Sequence, residues 1–412
     1  MLFMIIKYTL GCALLLLLSN NLCAQTNSLS NSPYSVYGIG TPSRFGTGKI
    51  NAIGGSGIAM KSDNSLNSLN PASLGAIPLN HFYFDLGINT QIYGLSEGAG
   101  TSKQFNATLT NVAMAFPLNS RSGLAVTLSP YANVGYSITG IENSIEGSNA
   151  IYTSDAIGTG SINEIRVDYG YGLLNNLRLG LSASYFFGKT EQTEYNTIGN
   201  YSLDIKKQNR YTGVGLNMGL QYDINESLSL ASILKFPAVL KATQNSYISQ
   251  DYDDTIEVET SGDDFMLPLE MGFGAAIAPR DNLKVYLDYS RKFWSNTAET
   301  DDLSTLIDQD IFKVGSTFIP KPNGIHYWQN VEYRTGFNYD TGYLEIAGEK
   351  VKSYNLSLGV GLPISHTGSK LNLSYAYGQN GSLSKGLIRE KIHTISINLS
   401  LDGLWFVKPK YQ

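Results

Sequence analysis

Residues 282–293, NLKVYLDYSRKF, decide how the chain is read. Leu283, Val285, Leu287 and Tyr289 take alternate positions, and Lys284, Tyr286, Asp288 and Ser290 fill those between. Successive side chains of a strand face opposite sides, so the segment is a strand with one apolar and one polar face. The pattern recurs on both sides of it. Ile395, Ile397, Leu399 and Leu401 alternate with Thr394, Ser396, Asn398 and Ser400; Ile165, Val167, Tyr169 and Tyr171 alternate with Arg166, Asp168 and Gly170. Leu177 to Phe187 and Leu371 to Tyr377 repeat it.

Extended along the chain, the alternation predicts fourteen strands: 81–95, 104–117, 122–138, 162–174, 177–190, 203–222, 227–243, 265–278, 282–295, 330–339, 342–348, 353–362, 370–379 and 391–402. Apolar faces end repeatedly in Tyr or Phe, as rings anchoring at a lipid–water boundary do, and the opposite faces carry charge. Connections after even-numbered strands are short, and most after odd-numbered strands are long, with one short exception after the eleventh. A transmembrane β-barrel has this asymmetry, with short periplasmic turns and long outer loops; a soluble sandwich has no reason for it. In the longest connection, 296–329, Leu303, Leu306, Ile307 and Ile311 recur at near-helical spacing. They fit a loop packing its own apolar side chains or, as the other reading, a short helix capped by Asp301 or Asp302.

Composition agrees with an all-β membrane barrel. The 412 residues include 42 Gly and 27 Tyr, with 15% charged residues and a net charge of -5. No basic tract is present, which excludes a nucleic-acid partner of the usual kind. Lys7 followed by the short apolar run Leu10–Leu18 reads as a signal peptide, residues 1–24, cleaved after Ala24. A lipid anchor at Cys23 is the rival, and Asn20-Asn21-Leu22 fit it poorly. Cys12 and Cys23 both fall in this leader, leaving the mature chain without disulfide or thiolate chemistry.

Between leader and first strand, residues 25–79 lack strand alternation. This segment is rich in Gly, Ser and Asn, with Gly54, Gly55 and Gly57 upstream and Asn70-Pro71-Ala72 at its end. Fourteen strands enclose more space than their own side chains fill, and this segment is the available filler: an N-terminal hatch or plug within a barrel of residues 80–406. Residues 407–412 form a C-terminal tail.

These features resemble the long-chain fatty-acid outer-membrane transporter (FadL/TodX-like) family, which includes aromatic-hydrocarbon channels; the opening SPYSVYGIGTPS and closing LWFVKP resemble a Bacteroidota-type branch. The resemblance implies a monomeric fourteen-stranded barrel of the outer membrane with a luminal hatch. It also implies passive uptake of a hydrophobic ligand and contact with outer-membrane lipids and, during biogenesis, the barrel-assembly machinery. Gln412 is last where such barrels commonly end on an aromatic residue. Some members are attachment factors of secretion systems, so a non-transporting interaction protein is the alternative.

Pro130 lies inside the third strand, where it removes a ladder hydrogen bond and requires a bulge or break. In the resembled family a kink there opens the wall sideways. Ser129, Pro130 and Tyr131 are therefore the candidate lateral opening, with a rim bulge as the other reading. No catalytic, metal or cofactor site is expected. Gly46-Thr47-Gly48-Lys49 and Gly188-Lys189-Thr190 lack phosphate-loop spacing; His81, His326, His366 and His393 are scattered; Asp251, Asp253, Asp254, Asp263 and Asp264 read as solvated loop.

Overall fold

The computed structural model describes residues 31–43, 46–98, 100–145, 147, 151–199, 201–250, 256–297, 300–301, 304–365, 367–383 and 387–404. The expected signal peptide (1–24), the expected tail (407–412), Trp405, Asp251, Asp253, Asp254, Asp302, Leu303 and His366 lie outside them.

Fourteen antiparallel strands form one closed barrel. In chain order they are β1 (His81–Glu97), β2 (Gly100–Asn119), β3 (Ser122–Ser144), β4 (Ile151–Gly172), β5 (Leu177–Ile198), β6 (Tyr201–Asn225) and β7 (Leu228–Lys235 continuing as Ala238–Gln250). Then come β8 (Ile256–Ser261, Phe265–Leu267 and Glu270–Arg280), β9 (Leu283–Lys292), β10 (Gln309–Phe318), β11 (Glu332–Asp340), β12 (Ser353–Pro363), β13 (Lys370–Asn380) and β14 (Arg389–Leu404). β14 pairs back onto β1 from His81↔Leu404 to Ser96↔Arg389, which closes the ring.

Burial runs opposite to that of a soluble β protein. Tyr286, Asp288 and Ser290 of β9 are buried while Leu287 is exposed; Thr394, Ser396 and Asn398 of β14 are buried while Ile395 and Ile397 are exposed. The polar faces line the interior and the apolar faces clothe the outside, ending in exposed rings such as Tyr169, Phe273, Phe318 and Tyr333. That is the arrangement a hydrocarbon surround requires.

Three expectations are corrected. The strand count of fourteen is right, but 342–348 is not a barrel strand and 309–318 is. Leu344–Ile346 instead joins Ser304–Leu306, Thr300–Asp301 and Glu349–Lys350 in a separate four-stranded sheet over one rim. Leu306 and Ile311 lie in strands, so among the described residues this stretch is neither the self-packed loop nor the short helix. Helical spacing of four aliphatic residues misled because Ile311 points inward while Phe312, Val314 and Phe318 form the exposed face.

The corrected assignment moves the exception in loop parity from the connection after the eleventh strand to the one after the tenth. Residues 341–352 connect β11 to β12 at the long-loop rim (the upper rim), and 319–331 make an extended turn at the lower rim. Finally, most of 139–161, 191–202 and 244–264, expected as loops, continues β3–β8 as strand.

Candidate functional site

Residues 31–80 contact the barrel on many sides at once. Gly48 N–H donates to Asp85 Oδ1 of β1 (3.1 Å), and Gln221 of β6 donates to Ala59 O (2.7 Å). Gly57 and Ile58 N–H donate to Asp288 Oδ2 of β9 (2.6 and 3.0 Å). Asn338 of β11 donates to Gly54 O (3.2 Å), and Ser357 of β12 accepts from Gly54 N–H (2.9 Å). Only a position inside the ring reaches all these inward-facing groups. Ion pairs add Lys61–Asp223 at 2.9 Å and Lys49–Glu332 at 3.9 Å.

Local sequence shapes the segment. Pro71 at the first position of the 3-10 turn Pro71–Ala76 sacrifices no N–H, and Asn70 caps it, Oδ1 accepting from Ala72 N–H at 3.0 Å. The Asn70 amide also donates to Ile58 O and Leu220 O (3.1 and 3.2 Å), pinning turn to wall. Gly54, at φ +68°, ends the turn Ile50–Ile53 in a left-handed conformation that favours glycine. At the start of the segment Ser32 Oγ donates to Glu390 (2.5 Å) and Tyr34 donates to Ile388 O (2.6 Å). Burial, reinforced by the Glu390 carboxylate, raises the Tyr34 phenol above its usual range and keeps it a donor.

The wall makes room for this backbone with inward-facing glycines. A Cβ on Gly180 would fall on Ala72 N, one on Gly170 on Pro71 O, and one on Gly336 on Gly54 N. The high glycine count therefore has a positional meaning that composition alone did not carry.

At Pro130 the wall divides. β2 and β3 pair from Asn119↔Ser122 only to Val112↔Leu128. Above that, β2 continues with β1 and β3 with β4, and among the described residues the two strands share no further pair. The register shift between Pro130 and Ala132 makes Tyr131 a bulge. Its ring packs edge-on against Phe186 at 4.9 Å, joining an apolar cluster with Ile39, Ile162, Leu240, Phe265 and Trp294. The vacated edge of β3 is taken by the Thr41–Pro42 bridge, paired Thr41↔Asn133 and Pro42↔Ala132, with Ser43 N–H donating to Tyr131 O at 2.8 Å.

Beside this division lies a cavity of about 240 Å³. Its lining joins Gly54 and Gly55 to Ser129, Pro130 and Tyr131; Gly57, Asn70, Pro71 and Ala72 lie outside it and serve to seat the segment. Lys235 and Lys292 approach Glu270 within its wall at 3.2 and 3.8 Å. These charges surround a second kink missed in the sequence: Phe236-Pro237 interrupts β7 opposite Pro268-Leu269 in β8. Two mid-strand prolines were the available signal, by the reasoning applied to Pro130. Among the described residues no His, Cys, Asp or Glu cluster could hold a metal ion.

The fold has solved relatives. A Pseudomonas aeruginosa FadL homologue superposes with a TM-score of 0.59 at 13% identity, covering 88% of this chain and 99% of its own. The Ralstonia pickettii toluene transporter TbuX gives 0.58 at 16%, covering 86% and 97%, and the CymD monoaromatic hydrocarbon channel 0.58 at 15%, with the same coverage. At such identities the likeness shows a shared FadL-like barrel fold. No curated protein sequence matches the chain. The model of one protein family, BamG, matches residues 4–412, almost the whole chain, and the protein therefore belongs to the BamG family.

Proposed function

We propose that the protein is an outer-membrane channel for passive uptake of hydrophobic small molecules, long-chain fatty acids or similar, with residues 25–79 as its hatch. The observation that carries this reading is the coincidence, at Pro130, of the interrupted β2–β3 ladder, an apolar cluster and a luminal cavity. An apolar ligand enters at the upper rim, gains the free energy of leaving water against Tyr131, Phe186 and their neighbours, and leaves sideways above Val112↔Leu128 into lipid. The hatch excludes bulk water, the lower rim faces the periplasm, and the chain works as a monomer. The named neighbours, a toluene transporter and a hydrocarbon channel, support a hydrophobic ligand.

The test is uptake of a fluorescent long-chain fatty acid into vesicles carrying the folded protein. At least a tenfold excess over empty vesicles is expected, falling towards the empty value for Pro130→Val. Wild-type uptake equal to that of empty vesicles would overturn transport; unchanged uptake by a correctly folded Pro130→Val would remove the lateral exit.

A second reading rests on the BamG match, whose designation points to barrel assembly. In it the barrel is an interaction partner of the assembly machinery rather than a conduit. Stoichiometric copurification with that machinery from gently solubilised membranes, together with a sealed barrel in the vesicle assay, would favour it.

A further inference from the structure

The turn 319–331 is far longer than the lower rim requires, since residues 120–121 and 226–227 each suffice to join two strands there. Its own polar groups hold it in shape. Lys321 N–H donates to Gln329 O (3.0 Å), carrying the β10–β11 hairpin past the Phe318↔Tyr333 pair. Gly324 N–H donates to Asn330 Oδ1 (3.0 Å), the Asn330 amide donates to Gly324 O (2.7 Å), and His326 N–H donates to Gln329 Oε1 (3.2 Å).

What the turn shows its surroundings is the reverse of what water selects. Gln329 and Asn330 are half-buried, while Ile325 is 95% exposed, Trp328 68% and Tyr327 42%. A turn bathed in water would bury such side chains and expose its amides. The same inversion marks the barrel wall, and the turn grows from the wall's own apolar surface. Phe318 and Tyr333, paired across β10 and β11, are exposed rings at the lower end of the lipid-facing band. Ile319 N–H donates to Asn282 O (2.9 Å), which keeps the first residue of the turn at the rim. Tryptophan and tyrosine favour the boundary between lipid head groups and acyl chains. The single formal charge in 319–331 is Lys321, which is exposed and suits an anionic lipid head; the stretch has no carboxylate to oppose one.

We infer that the turn is a membrane foot: Ile325, Tyr327 and Trp328 dip into the phospholipid leaflet beside the lower rim, with Lys321 among its head groups. This surface is separate from the cavity and from the β2–β3 division. It needs only a barrel seated in a bilayer, whatever passes through it.

A nitrobenzoxadiazole label on Ile325→Cys tests this, in full-length protein with Cys12 and Cys23 replaced by serine, folded at low density into vesicles of phosphatidylethanolamine and phosphatidylglycerol. The same label on Glu226→Cys, in a short turn of the same rim, is the reference. Both positions are exposed, so neither change touches the packing of the barrel. Phospholipid carrying a nitroxide high on its acyl chain should quench the Ile325 label about threefold more than the Glu226 label, and iodide on both sides of the membrane about threefold less. Replacing Tyr327 and Trp328 by serine should bring both values to those of the reference. Equal quenching at the two sites would overturn the inference. A turn that docks instead on another protein, or on a second copy of this chain, gives that result, since dilute vesicles supply neither. Preferential lipid quenching that survives the serine changes would overturn it too, because the label and not the turn would then be entering lipid.

Discussion

Asp288 shows how much can depend on one side chain. Its Oδ2 accepts from two consecutive backbone N–H groups of the luminal segment. Asp288→Ala strands both donors in a buried place, and each costs about 1–3 kcal/mol when unsatisfied. Urea titration of the vesicle-embedded barrel should show a loss of about 2–4 kcal/mol, with residues 31–80 becoming protease-sensitive first; Asp288→Asn, which keeps an acceptor, should lose less. Gly336 makes the complementary point. A Cβ there meets the backbone of Ile53 and Gly54, so Gly336→Val should destabilise by about 1–3 kcal/mol through overpacking. In a chain lacking residues 27–68 the same change should become neutral or stabilising, since valine suits a strand better than glycine. A cost that persisted after the deletion would mean the glycine is needed by the wall itself.

At the scale of elements, the Thr41–Pro42 bridge and the upper part of β3 form a register that can be checked covalently. Thr41 and Asn133 are directly paired, and paired antiparallel residues lie about 4.5–5.5 Å apart at Cα, within disulfide range. In protein with Cys12 and Cys23 replaced by serine, Thr41→Cys with Asn133→Cys should form one bridge spontaneously, visible as a mobility shift reversed by reductant. Thr41→Cys with Val126→Cys, on the other side of the bulge and facing outward, should not. The bulge at Tyr131 was legible because proline has one plain consequence in a ladder. The taking of the vacated edge by residue 41 was not, since two residues carry no periodicity. The strand missed in the sequence belongs here too: Gln309–Phe318 puts Ile311 and Lys313 inside and Phe312 and Val314 outside, which blurs the apolar–polar contrast that pattern reading depends on.

The whole molecule is a closed wall fastened to its own N-terminal chain. Deleting residues 27–68 removes the cavity partition and the wall hydrogen bonds of Gly48, Gly54, Gly57, Ile58 and Ala59, while the Pro71–Ala76 turn and the β1–β14 closure at His81↔Leu404 lie outside the deletion. In planar bilayers the deleted protein should conduct ions steadily where the full chain is closed; a sealed deleted barrel would overturn the hatch. Class, strand count and barrel closure could be read from the sequence because a period of two with apolar rings at its ends reflects a surround of lipid, and lipid acts on every strand alike. The route through the molecule could not. It depends on which residues 90 or 300 positions apart come to face each other — Thr41 with Asn133, Gly54 with Ser357 — and only the folded barrel brings those partners within hydrogen-bond reach.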